Sequence, residues 1–345
     1  MKKLLLSVLS IILLLLALSA FLIFGSGTPF SSPKQDLYIR TGSSYESLLN
    51  QLHAEKLVRF PWVFDQLARR AGYPQRIKAG KYEIKSGTSL FNLLRMLKNG
   101  RQVPVNLVIT KLRTKEDLAA LVGRKLECDS VSFIAFLNNP DTLKAYGLDT
   151  NTVMTAVMPN TYTYFWNIGP SRVFRKIESA SRAYWTPERR QEAAAHRLNP
   201  VSAYILASIV EEETNRAEDK PKIASVYLNR LDKGMKLAAD PTVKFAMRNF
   251  ELKRVYAKYL QTESPYNTYR YAGLPPGPIC TPSAESLEAV LQAPETKYLY
   301  FVAKPDFSGY SNFAETFTEH LANARAYQKA LDEQIRISQQ SNATP

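Results

Sequence analysis

The sequence predicts an α+β protein carried on one N-terminal transmembrane helix, and three observations predict it. Leu4 to Phe24 is an apolar run without a single charge. Between residues 37 and 97, a short strand, a glycine-containing turn and an amphipathic helix occur twice in succession. Further on, Val201–Thr214 is apolar at helical spacing, while Tyr298–Ala303 reads as a largely buried strand, which gives a mixed α/β second domain.

The first element is long enough to cross a bilayer core as a helix. Lys2 and Lys3 precede it and favour a cytoplasmic N-terminus, so everything after Phe24 is expected outside the cytoplasm, at the inner (plasma) membrane. Ser19-Ala20 would suit a cleaved signal peptide, but the run is long for one and lacks an Ala-x-Ala site. No cysteine follows it, so there is no lipid attachment point of the lipoprotein type. Residues 25–35 are rich in Gly, Ser and Pro and read as a linker.

The repeat comes next. Leu37-Tyr-Ile-Arg-Thr-Gly-Ser-Ser44 leads into Tyr45–Leu52, and Tyr82-Glu-Ile-Lys-Ser-Gly-Thr-Ser89 leads into Leu90–Leu97. Gly42 matches Gly87, and the Leu48/Leu49 pair matches Leu93/Leu94. Ser or Thr stands ready to cap each helix. A looser third copy is Leu107–Thr114, followed by a helix with Thr114 as cap and Asp117 in its first turn. These copies mark a first domain over residues 36–126.

A second domain is expected over 127–337. Residues 127–200 read mainly as helices and loops, with an aromatic cluster of Tyr162, Tyr164, Phe165 and Trp166. Thr281-Pro-Ser283 is expected to begin a helix over Ala284–Leu291. A mixed-charge helix is expected from Phe317 to Ile337, where His320 and Asn323 suit a surface or capping role more than a cleft. The tail 338–345 is polar and expected to be disordered.

Composition narrows the function. The formal charge of +14 suits a polyanionic neighbour, such as lipid headgroups or a cell-wall polymer. Lys and Arg are spread along the chain and no zinc finger, basic zipper or RNP motif is present, so no nucleic acid is expected as partner. Cys128 and Cys280 are far apart and are expected as buried free thiols. With His53, His196 and His320 scattered, no metal site and no cofactor are expected.

Chemistry concentrates at the end of the apolar helix. Ala203, Leu206, Ala207 and Val210 form one stripe that Glu213 continues; Val201, Ile205, Ser208 and Ile209 form the other, which Glu212 continues. An acid catalyst needs a carboxyl group that stays protonated near neutral pH, and an apolar seat raises the carboxyl pKa. Periodicity alone nominates both glutamates.

Leu206-Ala-Ser-Ile-Val-Glu-Glu-Glu-Thr214 is followed by Ile223–Leu231, Asp240-Pro-Thr-Val243, Tyr266-Asn-Thr-Tyr269, Gly273-Leu-Pro-Pro-Gly-Pro-Ile279, Thr281-Pro282 and Tyr298–Ala303. In order and spacing this series resembles the endolytic murein transglycosylases of the MltG (YceG-like) family, most closely over residues 155–330. The resemblance implies a LysM-like first domain and a catalytic domain with a lysozyme-like glutamate. It assigns catalysis to Glu213, the last Glu before Thr214, which breaks the tie with Glu212. It places Glu211, the first Glu of the motif, in support of the cleft.

By the same resemblance Glu211, Asp240, Tyr266, Asn267, Thr268 and Tyr269 are substrate-binding residues, with Asp240 the most credible second carboxylate. A tight turn and helix cap is the alternative for Asp240. The chain departs from the family at Met158 and Asn160, where Phe and Asp are usual, and at Ala238 and Ala239, where polar residues are usual. The implied activity is cleavage of the MurNAc-β-1,4-GlcNAc bond of nascent peptidoglycan strands to leave 1,6-anhydro ends. One glutamate suffices as acid and then base, whereas hydrolases usually need two carboxylates. The implied partners are glycan strands and peptidoglycan synthases of the penicillin-binding type, with the membrane engaged through residues 4–24. A hydrolytic muramidase and a non-catalytic wall-binding scaffold are the competing classes.

Overall fold

The computed structural model describes residues 2–252 and 254–342. The chain forms two compact units, each discontinuous in sequence. The first holds the chain up to Leu107 together with Val122–Asp129 and Thr163–Gly169; the second holds Val108–Leu121, Ser130–Tyr162 and the chain from Pro170 onward. The strand over 104–109 and the helix over 115–125 are each divided between the units, unlike a single boundary near residue 126.

In the first unit, α1 (Lys2–Phe24) is apolar on all sides and exposed along almost its whole length. It is a helix long and apolar enough to cross a membrane. Its last turn behaves differently, because Leu22 and Ile23 pack on the core of the unit. Nor does the expected linker run free: Gly27 N–H donates to Thr88 O (3.0 Å) and Arg59 N–H to Gly27 O (2.7 Å). Gly87 N–H donates to the buried Thr28 Oγ1 (2.9 Å). Gly27 is needed there, since a Cβ would stand 2.8 Å from Leu90.

The repeat folds as its sequence suggests. Strand β1 (Lys34–Ile39) leads through a turn into α2 (Tyr45–Ala54); β2 (Gly80–Lys85) leads through a matching turn into α4 (Leu90–Asn99). Between them lies α3 (Pro61–Arg70), which the repeat does not announce. The strands pair antiparallel, with Leu37 opposite Tyr82 and Gln35 opposite Ile84. Gly42 and Gly87 occupy the same place in each copy, at φ +80° and +79°. Nothing crowds either one, so backbone angle alone calls for glycine. Ser44 and Ser89 cap the two helices, accepting from Ser47 N–H (3.2 Å) and Asn92 N–H (3.3 Å). Leu48, Leu52, Leu93, Leu94 and Leu97 then bury the facing stripes.

The third copy is β3 (Pro104–Ile109) and α5 (Lys115–Lys125). Its cap is reciprocal: Asp117 N–H donates to Thr114 Oγ1 (3.1 Å) and Thr114 N–H to Asp117 Oδ2 (2.9 Å).

In the second unit, α6 (Ser130–Leu137) and α7 (Pro140–Lys144) precede β4 (Asn160–Phe165), which passes into the first unit at Thr163 and pairs with β3. A strand here departs from the expected helices and loops. Its cause is the alternation that buries Tyr162 and Tyr164 and exposes Thr161 and Phe165. Then follow α8 (Pro170–Tyr184), α9 (Pro187–Ala195), α10 (Pro200–Glu213), α11 (Lys220–Asp232) and α12 (Asp240–Ala246). Proline sits in the first turn of α9, α10, α11 and α12, where its missing N–H costs nothing. After α13 (Ala284–Leu291) come the antiparallel pair β5 (Tyr300–Ala303) and β6 (Ser311–Ala314), and finally α14 (Phe317–Asn342). Among the described residues strand is thus limited to two-stranded ribbons, and helices carry the fold.

The core of this unit is built on α10. Asn199 and Ser202 form a reciprocal capping box at its start. Every side chain from Ala203 to Val210 is then buried. They lie among α9, α11, α12 and α13, and each fully buried Leu, Ile or Val contributes roughly 1.5–3 kcal/mol. Helix α14 continues to Asn342, past the Ile337 end expected, since no Gly or Pro interrupts residues 338–342. Residues 343–345 of the expected tail lie outside the described residues.

Candidate active site

The buried length of α10 ends at three consecutive glutamates, and the structure sends each to a different environment. Glu211 turns toward the start of α13, where Ser286 Oγ (2.5 Å) and Ser283 Oγ (2.7 Å) donate to its Oε2. Lys111 and the buried Lys220 approach at 3.3 and 3.5 Å. Burial pushes this carboxyl up, but the serine hydrogen bonds and the two ammonium charges outweigh it and hold the pKa at about 2. Glu211 is an anion tying α10 to α13, and it does not line the Glu213 cavity where substrate contact is expected. Glu212 pairs with Lys111 (3.1 Å) and Arg113 (3.0 Å) on the segment between β3 and α5.

Glu213 alone opens onto a cavity of about 510 Å³. Tyr227, on α11, donates its hydroxyl to Glu213 Oε1 at 2.6 Å. Burial raises the Glu213 pKa to about 7; the Tyr227 hydrogen bond opposes the rise, and the charge of Asp240 adds to it. Arg230 and Lys244 favour the anion more weakly. A carboxyl in this state holds a proton near neutrality yet can release it.

The remaining walls come from α11, the turn into α12, the ribbon and α14. Arg230 follows Tyr227 by three positions on α11, so both face one side. Its guanidinium is fixed by Leu299 O (2.7 Å) and Leu237 O (2.6 Å) and lies against the Tyr300 ring (5.4 Å). Tyr300, Phe301, Phe317 and His320 supply rings. His320 stacks on Tyr300 at 5.2 Å; burial and the Arg230 charge lower its pKa.

Of the residues expected to bind substrate, Asp240 and Tyr269 line this cavity. Tyr269 donates to Asp240 Oδ1 at 2.6 Å, and burial together with that bond raises the phenol pKa. Ala238 also lines it, in a left-handed backbone conformation (φ 48°) that side chains rarely adopt. Ala239 is buried.

Asn267, Thr268 and Tyr266 are placed elsewhere. Asn267 is fully buried and donates to Leu260 O (3.0 Å) and Thr262 O (2.8 Å), while its Oδ1 accepts from Tyr269 N–H (3.0 Å). Thr268 Oγ1 accepts from Ala239 N–H (3.0 Å) and meets Thr242 Oγ1 (2.8 Å). Both therefore stitch the Tyr266–Tyr269 turn to the start of α12, which aims Tyr269 at Asp240. Tyr266 packs on Phe245 (4.7 Å) and lines a separate, smaller pocket. Gly277 lies beside it, where a Cβ would meet Asn151 O at 2.2 Å, so only glycine fits.

Sequence reasoning missed Tyr227, Arg230, Tyr300, Phe301 and Phe317, and placed His320 away from the cavity. The spacing of Tyr227 and Arg230 on a readable helix was the available signal. The ribbon and α14 residues carry none, because only the tertiary fold brings them to Glu213. Cys128 and Cys280 are free and buried.

Comparison with known proteins joins this geometry to the sequence pattern. The chain is similar to an endolytic murein transglycosylase of Bacillus subtilis, with 29% identity over 306 residues covering 83% of this chain and 82% of that one. A Streptococcus pneumoniae protein of the same name is 25% identical over 295 residues, covering 77% of this chain and 53% of that one, so the chain spans about half that relative's length. The crystal structure of a YceG-like protein from Listeria monocytogenes superposes with a TM-score of 0.57 at 27% identity, covering 85% of this chain and 99% of that one. The model of the YceG-like family matches residues 37–326, a span that includes both the repeat and the Glu213 cavity, and the chain belongs to that family.

Proposed function

We propose that the chain is a lytic transglycosylase that cuts within peptidoglycan strands, as the names of its relatives describe for them, with Glu213 as both acid and base. The observation that carries this reading is the Glu213 carboxyl, raised to about 7 at the wall of a roomy cavity whose second carboxyl, Asp240, is engaged by Tyr269. Tyr227 occupies Oε1, which leaves Oε2 to carry the working proton. That proton passes to the glycosidic oxygen between MurNAc and GlcNAc as the C1–O bond breaks. The MurNAc C6 hydroxyl forms the new bond to C1, and the Glu213 carboxylate takes its proton. The carboxyl is thereby restored, no water enters, and one end is left as a 1,6-anhydro sugar.

The surroundings suit that sequence. The rings of Tyr300, Phe301 and Phe317 offer faces for sugar C–H groups. Asp240 is engaged by Tyr269 and acts on Glu213 through its charge. The first unit is read as LysM-like and α1 as a retained anchor, with the folded units outside the cytoplasm and peptidoglycan synthases of the penicillin-binding type as partners. Glu213→Gln in the full chain tests the assignment: loss of cleavage of uncrosslinked glycan strands, with an unchanged circular dichroism spectrum, is expected. Cleavage at the wild-type rate would remove Glu213 from the chemistry.

A further inference from the structure

The place where α1 meets the first unit carries an unexplained surface. Gly27 and Thr28 are bound to the turns that precede α3 and α4, so both helices begin beside the end of α1. Each presents a large aromatic residue in its first turn. Phe91 of α4 is 42% exposed and meets the Phe24 ring at 5.4 Å. Trp62 of α3 is 65% exposed, three residues after Arg59, whose N–H holds Gly27 O. The other two tryptophans, Trp166 and Trp185, are buried at 8% and 6%. Two arginines flank the rings: Arg95 lies against Phe91 (5.9 Å), and the exposed Arg59 reaches Thr28 O (3.4 Å).

We propose that Trp62 and Phe91, with Arg59 and Arg95, form an interfacial patch that seats the first unit in the phospholipid headgroup layer. The patch presupposes that α1 spans the membrane, as proposed above. The occupant follows from continuity: Phe91 touches Phe24 at the end of an apolar helix, and the turn before Trp62 holds Gly27 just beyond it, with no free linker between. Indole and phenyl rings with one wet edge settle at headgroup depth. Guanidinium groups on flexible stems pair bidentately with lipid phosphates. The unit then rides on the membrane surface rather than swinging above it.

The test uses the full chain in vesicles of phosphatidylcholine and phosphatidylglycerol brominated at shallow acyl positions, with Trp62→Phe isolating the Trp62 emission. The patch predicts that bromolipid removes most of that component and that acrylamide scarcely reaches it. Acrylamide quenching without bromolipid quenching, in vesicles that carry the protein, would overturn the patch and leave the anchor standing. A chain that does not float with the vesicles at all would overturn both.

Discussion

Burial sets the proton of Glu213 high, and two neighbours adjust it in opposite directions, which makes the residue scale testable. Tyr227 donates to the carboxylate and lowers its pKa; Asp240 adds negative charge and raises it. A group that must be protonated to start the reaction gives a kcat/KM that falls above about pH 7. Tyr227→Phe should move that limb to higher pH, and Asp240→Asn should move it to lower pH. Tyr227→Phe should also lower kcat by roughly ten-fold, since the carboxylate loses the bond that orients it. Shifts in the same direction, read from pH–rate profiles, would contradict the assignment. Stability offers a second readout. A raised folded-state pKa stabilises fully below the unfolded value near 4.5 and loses that contribution as pH rises through about 7. Glu213→Gln should therefore be more stable than the wild type at pH 8, by roughly 1–3 kcal/mol, with the gap closing below about pH 4.5. Urea melts at the two pH values measure it.

At the scale of elements, the Tyr266–Tyr269 turn separates positioning from binding. Asn267→Ala leaves Leu260 O, Thr262 O and Tyr269 N–H without their partner. A loss of roughly 2–4 kcal/mol is expected from denaturant melts, together with a weakened Tyr269–Asp240 pair. An unchanged midpoint would mean that Asn267 serves substrate instead. Helices were the most legible elements, because their signals are local: Ser44, Ser89, Thr114, Asn199 and Ser283 cap where their side chains allowed it. Strand β4 was not read, since its alternation covers only a few residues within an aromatic cluster. Helix α3 was hidden for a different reason, having no counterpart in the second copy of the repeat.

For the whole molecule, what the sequence could not reveal is what distant segments do together. The separation of Glu211, Glu212 and Glu213 into three environments depends on Ser283 and Ser286, on Lys111 and Arg113, all far away along the chain, and on Tyr227 of the next helix. Periodicity stopped at two candidates for that reason. The segment expected as a linker is held for the same reason: Gly27 packs closely against Leu90, and Thr28 accepts from the turn at Gly87. The apolar N-terminal helix, the repeat and α10 are all legible because each is an uninterrupted local pattern. The central claim is that one carboxyl group transfers a proton out and back without water. Mass spectrometry of the fragments from uncrosslinked glycan strands tests it most directly. Ends lighter by one water than hydrolysis products, and absent with Glu213→Gln, are the predicted result; hydrated ends would contradict it and turn attention to Asp240.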